Sequence, residues 1–347
     1  MNPTWATRPS LHRSNTWLYL LLGAFFQFAP CQAPAADLRR SQTIQLHKGW
    51  NAVFLEVEPL NTDPGAVFTN MPVDIVASYF PNVTPVQFIR DPNEAPWKEP
   101  GWGVWYAPDS KEAIVTDLFA VQGNRAFLIK ARQACTWQLQ GKIQFKRVRW
   151  QPDSFNMVGF PVDPQSPPNM GTFFAGSSAH QGQRIYRLVG DQWTLVTNPG
   201  GTALESGVAY WVFCKGGSAY QGPVALKLPF GGDLEFGNIN QNLDLQFSNT
   251  SPDPVHVTVE TVSGTGELPL SYVIRNLATL ETTYPRLPSA LGLSATNGGA
   301  TTTFTLQIRR EAMTDAEQST LLKITSDTGS QYWVPAHARR SNLSSNP

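Results

Sequence analysis

The stretch LHKGWNAVFLEVEP, residues 46–59, decides the fold because a version of it comes back later in the chain. Its apolar and aromatic residues lie between a Gly and a Pro, the composition of a strand. At a shift of 105 residues, GWNAVFLEVEP (49–59) lies over SFNMVGFPVDP (154–164) without a gap. Trp50 meets Phe155, Asn51 meets Asn156, Val53 meets Val158, Val57 meets Val162, Glu58 meets Asp163 and Pro59 meets Pro164. The opening Trp or Phe reads as core, and the Asn as a residue that hydrogen-bonds a neighbouring loop.

The landmarks that follow keep their order in both copies. Asp63-Pro64 with Phe68, and Ser166-Pro167 with Phe173, each read as a cap and a first-turn Pro opening a short helix. An aromatic strand comes next, VWYAP from Val104 in one copy and IYRLV from Ile185 in the other. The closing strands RAFLIK (125–130) and VAYWVF (208–213) precede Gln140-Gly141 and Gln221-Gly222. IYRLVGDQWTLV predicts a hairpin turning on Gly190-Asp191. The first copy is longer between its landmarks, 75 positions from Asn51 to Ala126 against 53 from Asn156 to Ala209. The surplus is expected within residues 90–111.

From about residue 230 the texture shifts to Asn, Thr and Ser with period-2 alternation. Leu243, Leu245 and Phe247 alternate with polar neighbours, and so do Val255, Val257 and Val259. STLLKITSDTGSQYWVPAHA predicts a hairpin around Asp327-Thr328-Gly329. Thr314, Asp315 and Glu317 suit a short connecting turn. The expected organisation is a signal peptide (1–36), β-module copies at 41–145 and 146–229, a β-sandwich at 230–340, and a disordered tail at 341–347. The fold class is all-β, a duplicated β-module plus a C-terminal immunoglobulin-like sandwich.

Composition agrees. Charged residues are 15% of the chain, Gly and Pro number 27 and 28, and hydrophobic residues make up 41%. That mixture favours short strands and tight turns. Lys plus Arg equals Asp plus Glu at 26 each, so no overall basic balance invites nucleic acid.

Arg8, His12 and Arg13 precede the apolar run 17–29, and Ala33-Pro34-Ala35 follows it. This is the pattern of a secretory signal peptide, too short for a membrane span. A lipidated Cys31 is the competing reading, and Pro30 opposes it, since a small residue is expected there. The mature chain should lack a membrane span, and should work in the periplasm, at the cell surface or outside the cell. It keeps Cys135 and Cys214, either bridged or as two free thiols.

Few residues point to chemistry. No Gly-x-Ser-x-Gly elbow, phosphate-cradling loop or calcium-loop spacing is present, and His47, His180, His256 and His337 are scattered without ligand spacing. No metal, cofactor or catalytic residue is expected. Trp97, Trp102, Trp105 and Tyr106 lie among Pro, Gly and acids, where flat rings could hold sugar. The competing reading makes them the small core of their own loop.

Gly-Trp-Asn-x-Val with a closing AYWV-type strand resembles a β-module of secreted bacterial proteins. LEFG (234–237) and VPAHA (334–338) resemble the first and last strands of bacterial immunoglobulin-like domains. These resemblances imply display outside the cytoplasm and a seven-stranded sandwich, and they carry over no site residue. The leading expectation is an exported non-catalytic structural or adhesive protein that acts through protein partners. The alternatives are a carbohydrate-binding protein using the 97–106 aromatics, and a secreted hydrolase with unidentified carboxylates.

Overall fold

The computed structural model describes residues 38–81, 101–262, 267–276 and 278–340. The expected signal peptide, Cys31, Trp97 and the tail lie outside them. The first copy contains β1 (Arg39–Leu46), β2 (Gly49–Leu55), β3 (Glu58–Pro59), the short helix α1 (Pro64–Val67) and β4 (Val73–Tyr79). It continues with β5 (Trp102–Tyr106), β6 (Arg125–Ala131) and β7 (Cys135–Lys142). The second contains β8 (Ser154–Val158), α2 (Met170–Phe174), β9 (Ile185–Val189), β10 (Gln192–Leu195) and β11 (Tyr210–Cys214).

The duplication is visible in the hydrogen bonding. One sheet runs β2-β6-β4-β5 and the other β8-β11-β9-β10, so first, fourth, second and third strands lie side by side in both. Asn51 pairs with Ile129 and Asn156 with Val212, the register that the closing strands require. One sequence alignment is corrected. IYRLV is β9, the counterpart of β4, and the aromatic strand β5 corresponds to β10 instead. The cause is loop length: residues 80–101 join β4 to β5, whereas Gly190 and Asp191 alone join β9 to β10. Both turn residues have positive φ, 55° and 68°, as a type I′ hairpin needs.

A second correction concerns the helix starts. Asp63 caps α1 as expected, its Oδ1 accepting from the Ala66 N–H at 2.9 Å. In the second copy the cap is Asn169, accepting from the Thr172 N–H at 2.8 Å, and the helix starts downstream of Ser166-Pro167.

The two copies form one layered body. The β2-β6-β4-β5 sheet packs its outer face on the sheet β1-β7-β3 through Leu55, Phe127, Ile129, Ile44 and Trp137. Its inner face meets the β8-β11-β9-β10 sheet through Ala77, Trp102, Val104, Tyr106, Phe155 and Trp211. The outer face of the second sheet is covered by α2 and loops carrying Phe160, Phe173, Phe174 and Tyr220. The layers are also stitched at an edge, where β2 bonds to residues 207–209: Phe54 N–H donates to Gly207 and Ala209 N–H to Ala52.

The third unit is two sheets over one core. One runs β12-β14-β20-β16: β12 (Val224–Lys227), β14 (Asn242–Asn249), β20 (Thr301–Ile308) and β16 (Leu270–Tyr272). The other runs β13-β22-β21-β15-β19: β13 (Leu234–Gly237), β22 (Gln331–Arg339), β21 (Glu317–Ser326), β15 (Val257–Thr261) and β19 (Ala290–Gly292). A small exposed pair, β17 (Ile274–Asn276) and β18 (Glu281–Thr283), lies apart. The LEFG strand β13 pairs parallel to the VPAHA strand β22. The sandwich has more strands than the seven expected, partly because β12 lies upstream of residue 230 yet pairs with β14. The 327–329 hairpin joins β21 to β22 as the sequence predicts.

Candidate functional site

The strand period of β5 distributes its aromatic side chains over two faces. Along β5, Trp102, Val104 and Tyr106 point to the layer between the copies, while Trp105 points to the opposite core. Trp102 lies between Tyr79, with centroids 5.4 Å apart, and Trp211, at 6.2 Å. Trp211 also meets Tyr79 at 5.4 Å and Trp193 at 6.2 Å, edge-on. Trp105 packs on Phe68 at 5.6 Å. Trp102, Trp105 and Tyr106 are all buried, so they build the seam between the copies and the core of the first.

The thiols are not joined. Cys135 is half-buried beside the core of the first copy, and Cys214 is buried within that of the second. Burial pushes the Cys214 thiol up to about 11, with Asp153 adding to the rise, and it raises that of Cys135. Neither is poised as a thiolate nucleophile. His180 sits in an aromatic nest, 4.0 Å from the Trp150 ring, with Nδ1 2.7 Å from Ser177 Oγ. No group of three His, Cys, Asp or Glu fit to hold a metal occurs among the described residues.

Two surface features remain that the sequence did not single out. The first is an apolar ledge on the connection after β5. Ile114, Val115 and Phe119 are 91%, 61% and 75% exposed. The residues between Val115 and Phe119 are tied to β5: Val104 N–H donates to Asp117 Oδ1 at 2.6 Å, Tyr106 N–H to Thr116 Oγ1 at 3.2 Å, the Asp117 and Leu118 N–H groups to the Val104 carbonyl, and Leu118 is buried. These bonds also close the outer edge of β5.

The second is a groove of about 720 Å³ between the two copies. Its cations are Arg125, Lys146, Arg147 and Arg149, and no Asp or Glu lines it among the described residues. The Arg125 guanidinium is half-buried, stacked 4.1 Å over Phe80, and burial lowers it from its ordinary value without discharging it. Lys146 has Glu58 at 3.9 Å. Phe155, Asn156, Met157 and Val158 of β8 also line it. Arg125 comes beside the 146–149 cations only through the fold.

No helix among the described residues is long and apolar enough to cross a membrane. No family model matches the chain, and no curated protein matches it. Solved structures similar to it include the YadV chaperone, at 10% identity and TM-score 0.24, over 36% of this chain and 55% of that one. Another is the ASH/PapD-like domain of human CEP192, at 6% identity and TM-score 0.21, over 34% of this chain and 84% of that one. The CupB6 tip adhesin from Pseudomonas aeruginosa is 9% identical, with TM-score 0.19, over 87% of this chain and 89% of that one. The chain thus spans about half the length of the chaperone, and the likeness is one of all-β architecture.

Proposed function

We propose that this chain is an exported, non-catalytic component of the cell surface or of a secreted assembly, acting through contacts with other proteins. The observation that carries the reading is the ledge of Ile114, Val115 and Phe119, three large apolar side chains presented to solvent from an anchored backbone. Exposed large apolar side chains grouped within six residues suit an interaction site, and a connection tied to β5 between Val115 and Phe119 lowers the entropy lost on docking. The apolar run at 17–29 supplies the export signal in this reading.

A photo-crosslinking residue placed at 119 in the producing cell tests it. The expected result is a defined protein adduct at 119, absent when the probe stands at 280, where Leu280 is 86% exposed on the third unit. Equal labelling at both positions, or none at either, would overturn the proposal.

A further inference from the structure

The groove between the copies contains an unpaired strand edge. β8 is the outermost strand of its sheet, bonded on one side only, to β11. The Phe213 N–H donates to the Arg184 carbonyl, so the backbones of residues 211 and 213 face β9. Those of 210, 212 and 214 therefore face β8 and bond to Val158, Asn156 and Ser154 opposite them. This alternation leaves the N–H and C=O groups of Phe155 and Met157 on the outer edge, beside the groove. Among the described residues their one outer hydrogen bond is that which Ser154 Oγ donates to the Phe155 carbonyl at 3.4 Å.

Neighbouring edges are treated otherwise. β5 is closed by Thr116 and Asp117, and β2 by residues 207–209. An open edge is a template for another strand, and proteins that leave one open where others are covered expose it to a partner. The surroundings narrow the partner. Among the described residues, Arg125, Arg147 and Arg149 have no carboxylate partner and no acid lines the groove. Guanidinium forks match carboxylates in pairs.

We infer that the groove receives an extended acidic peptide segment of a partner protein, added as a strand to the free edge of β8. Its backbone pairs with Phe155 and Met157, and its Asp or Glu side chains meet Arg125, Arg147 and Arg149. The strand offered is five residues, about 17 Å of extended chain. This inference rests on the protein-contact reading above and gives it a site separate from the ledge. A peptide fits better than an anionic polysaccharide because main-chain donors and acceptors at strand spacing lie beside the charges.

The test uses the exported chain, residues 37–347, and a fluorescent octapeptide of alternating Val and Glu. Saturable binding is expected, weakened at least tenfold in Arg147→Glu/Arg149→Glu and by raising salt from about 0.05 to 0.5 M. N-methylation of alternate peptide bonds should abolish it, since that blocks edge pairing while keeping every charge. Met157→Pro removes an outward N–H and should weaken binding too. If that variant unfolds, the N-methylated peptide alone decides the pairing. Unchanged binding after N-methylation, no binding, or capture of polygalacturonate in place of the peptide would overturn the inference. If the 119 adduct forms and the groove fails, only this inference falls; if both fail, the protein-contact reading falls with it.

Discussion

Asn51 and Asn156 occupy the same place in the two copies and close equivalent loops, Asn51 adding a bond from its Nδ2 to the Ile129 carbonyl at 3.3 Å. Asn51 Oδ1 accepts from the His47 N–H at 2.8 Å, and its Nδ2 donates to the His47 and Gly49 carbonyls. Asn156 Oδ1 accepts from the Gln151 N–H at 2.7 Å, and its Nδ2 donates to the Gln151 and Ser154 carbonyls. Each amide closes the loop that feeds its own strand, and both are nearly buried. Only a side chain with donor and acceptor on one carbon can do this.

Asn51→Asp or Asn156→Asp should therefore destabilise the protein although shape is kept. The acceptor survives, but in place of the amide donor a carboxylate oxygen would face three carbonyls at position 51 and two at 156. The expected loss is about 1–3 kcal/mol, read from urea midpoints. Unchanged midpoints would show that the loops close without the amide.

His180 gives a pH dependence with a definite sign. It is 1% exposed, and burial pushes it down to about 4 from an ordinary value of 6.5. The unfolded chain takes a proton below about pH 6.5 that the folded chain refuses until about pH 4. Stability from this group is thus full above 6.5, falls between 6.5 and 4, and levels off below. The total is about 3 kcal/mol. The slope of unfolding free energy against pH over that window should be shallower in His180→Gln than in the parent chain. Equal slopes would mean His180 titrates alike in both states.

The thiols predict a labelling order. Without reductant, denatured protein should be alkylated at both Cys135 and Cys214. Under native conditions near pH 8, the half-buried Cys135 should react first and Cys214 remain protected. Mass spectrometry of the peptides reads this directly, and a 135–214 crosslinked peptide would contradict the free-thiol assignment.

The matching strands β2 and β8, the closing strands, the 190–191 hairpin and the third unit's alternation were legible in the sequence, because each is a local period or turn rule. The strand order was not, since it depends on which edges meet. Nor was the fate of Trp102: its neighbour Trp211 stands 109 positions away, and a cluster of aromatics beside Pro and Gly looks the same on a loop or in a seam. Gly49 illustrates the same limit. Its φ is +97°, and a Cβ there would come within 2.5 Å of Asp191 Oδ1, which accepts from the Trp50 N–H. The second copy's hairpin thus touches the first copy's opening turn. The groove was equally hidden, being made of residues from both copies.

The two copies share one aromatic seam, with Trp102 in its core. Urea unfolding of Trp102→Ala tests this most directly. A tryptophan wedged between Tyr79 and Trp211 should cost about 3–5 kcal/mol on truncation. A loss within about 0.5 kcal/mol, the size for a ring standing in solvent, would contradict the seam and return that ring to the surface as a ligand platform.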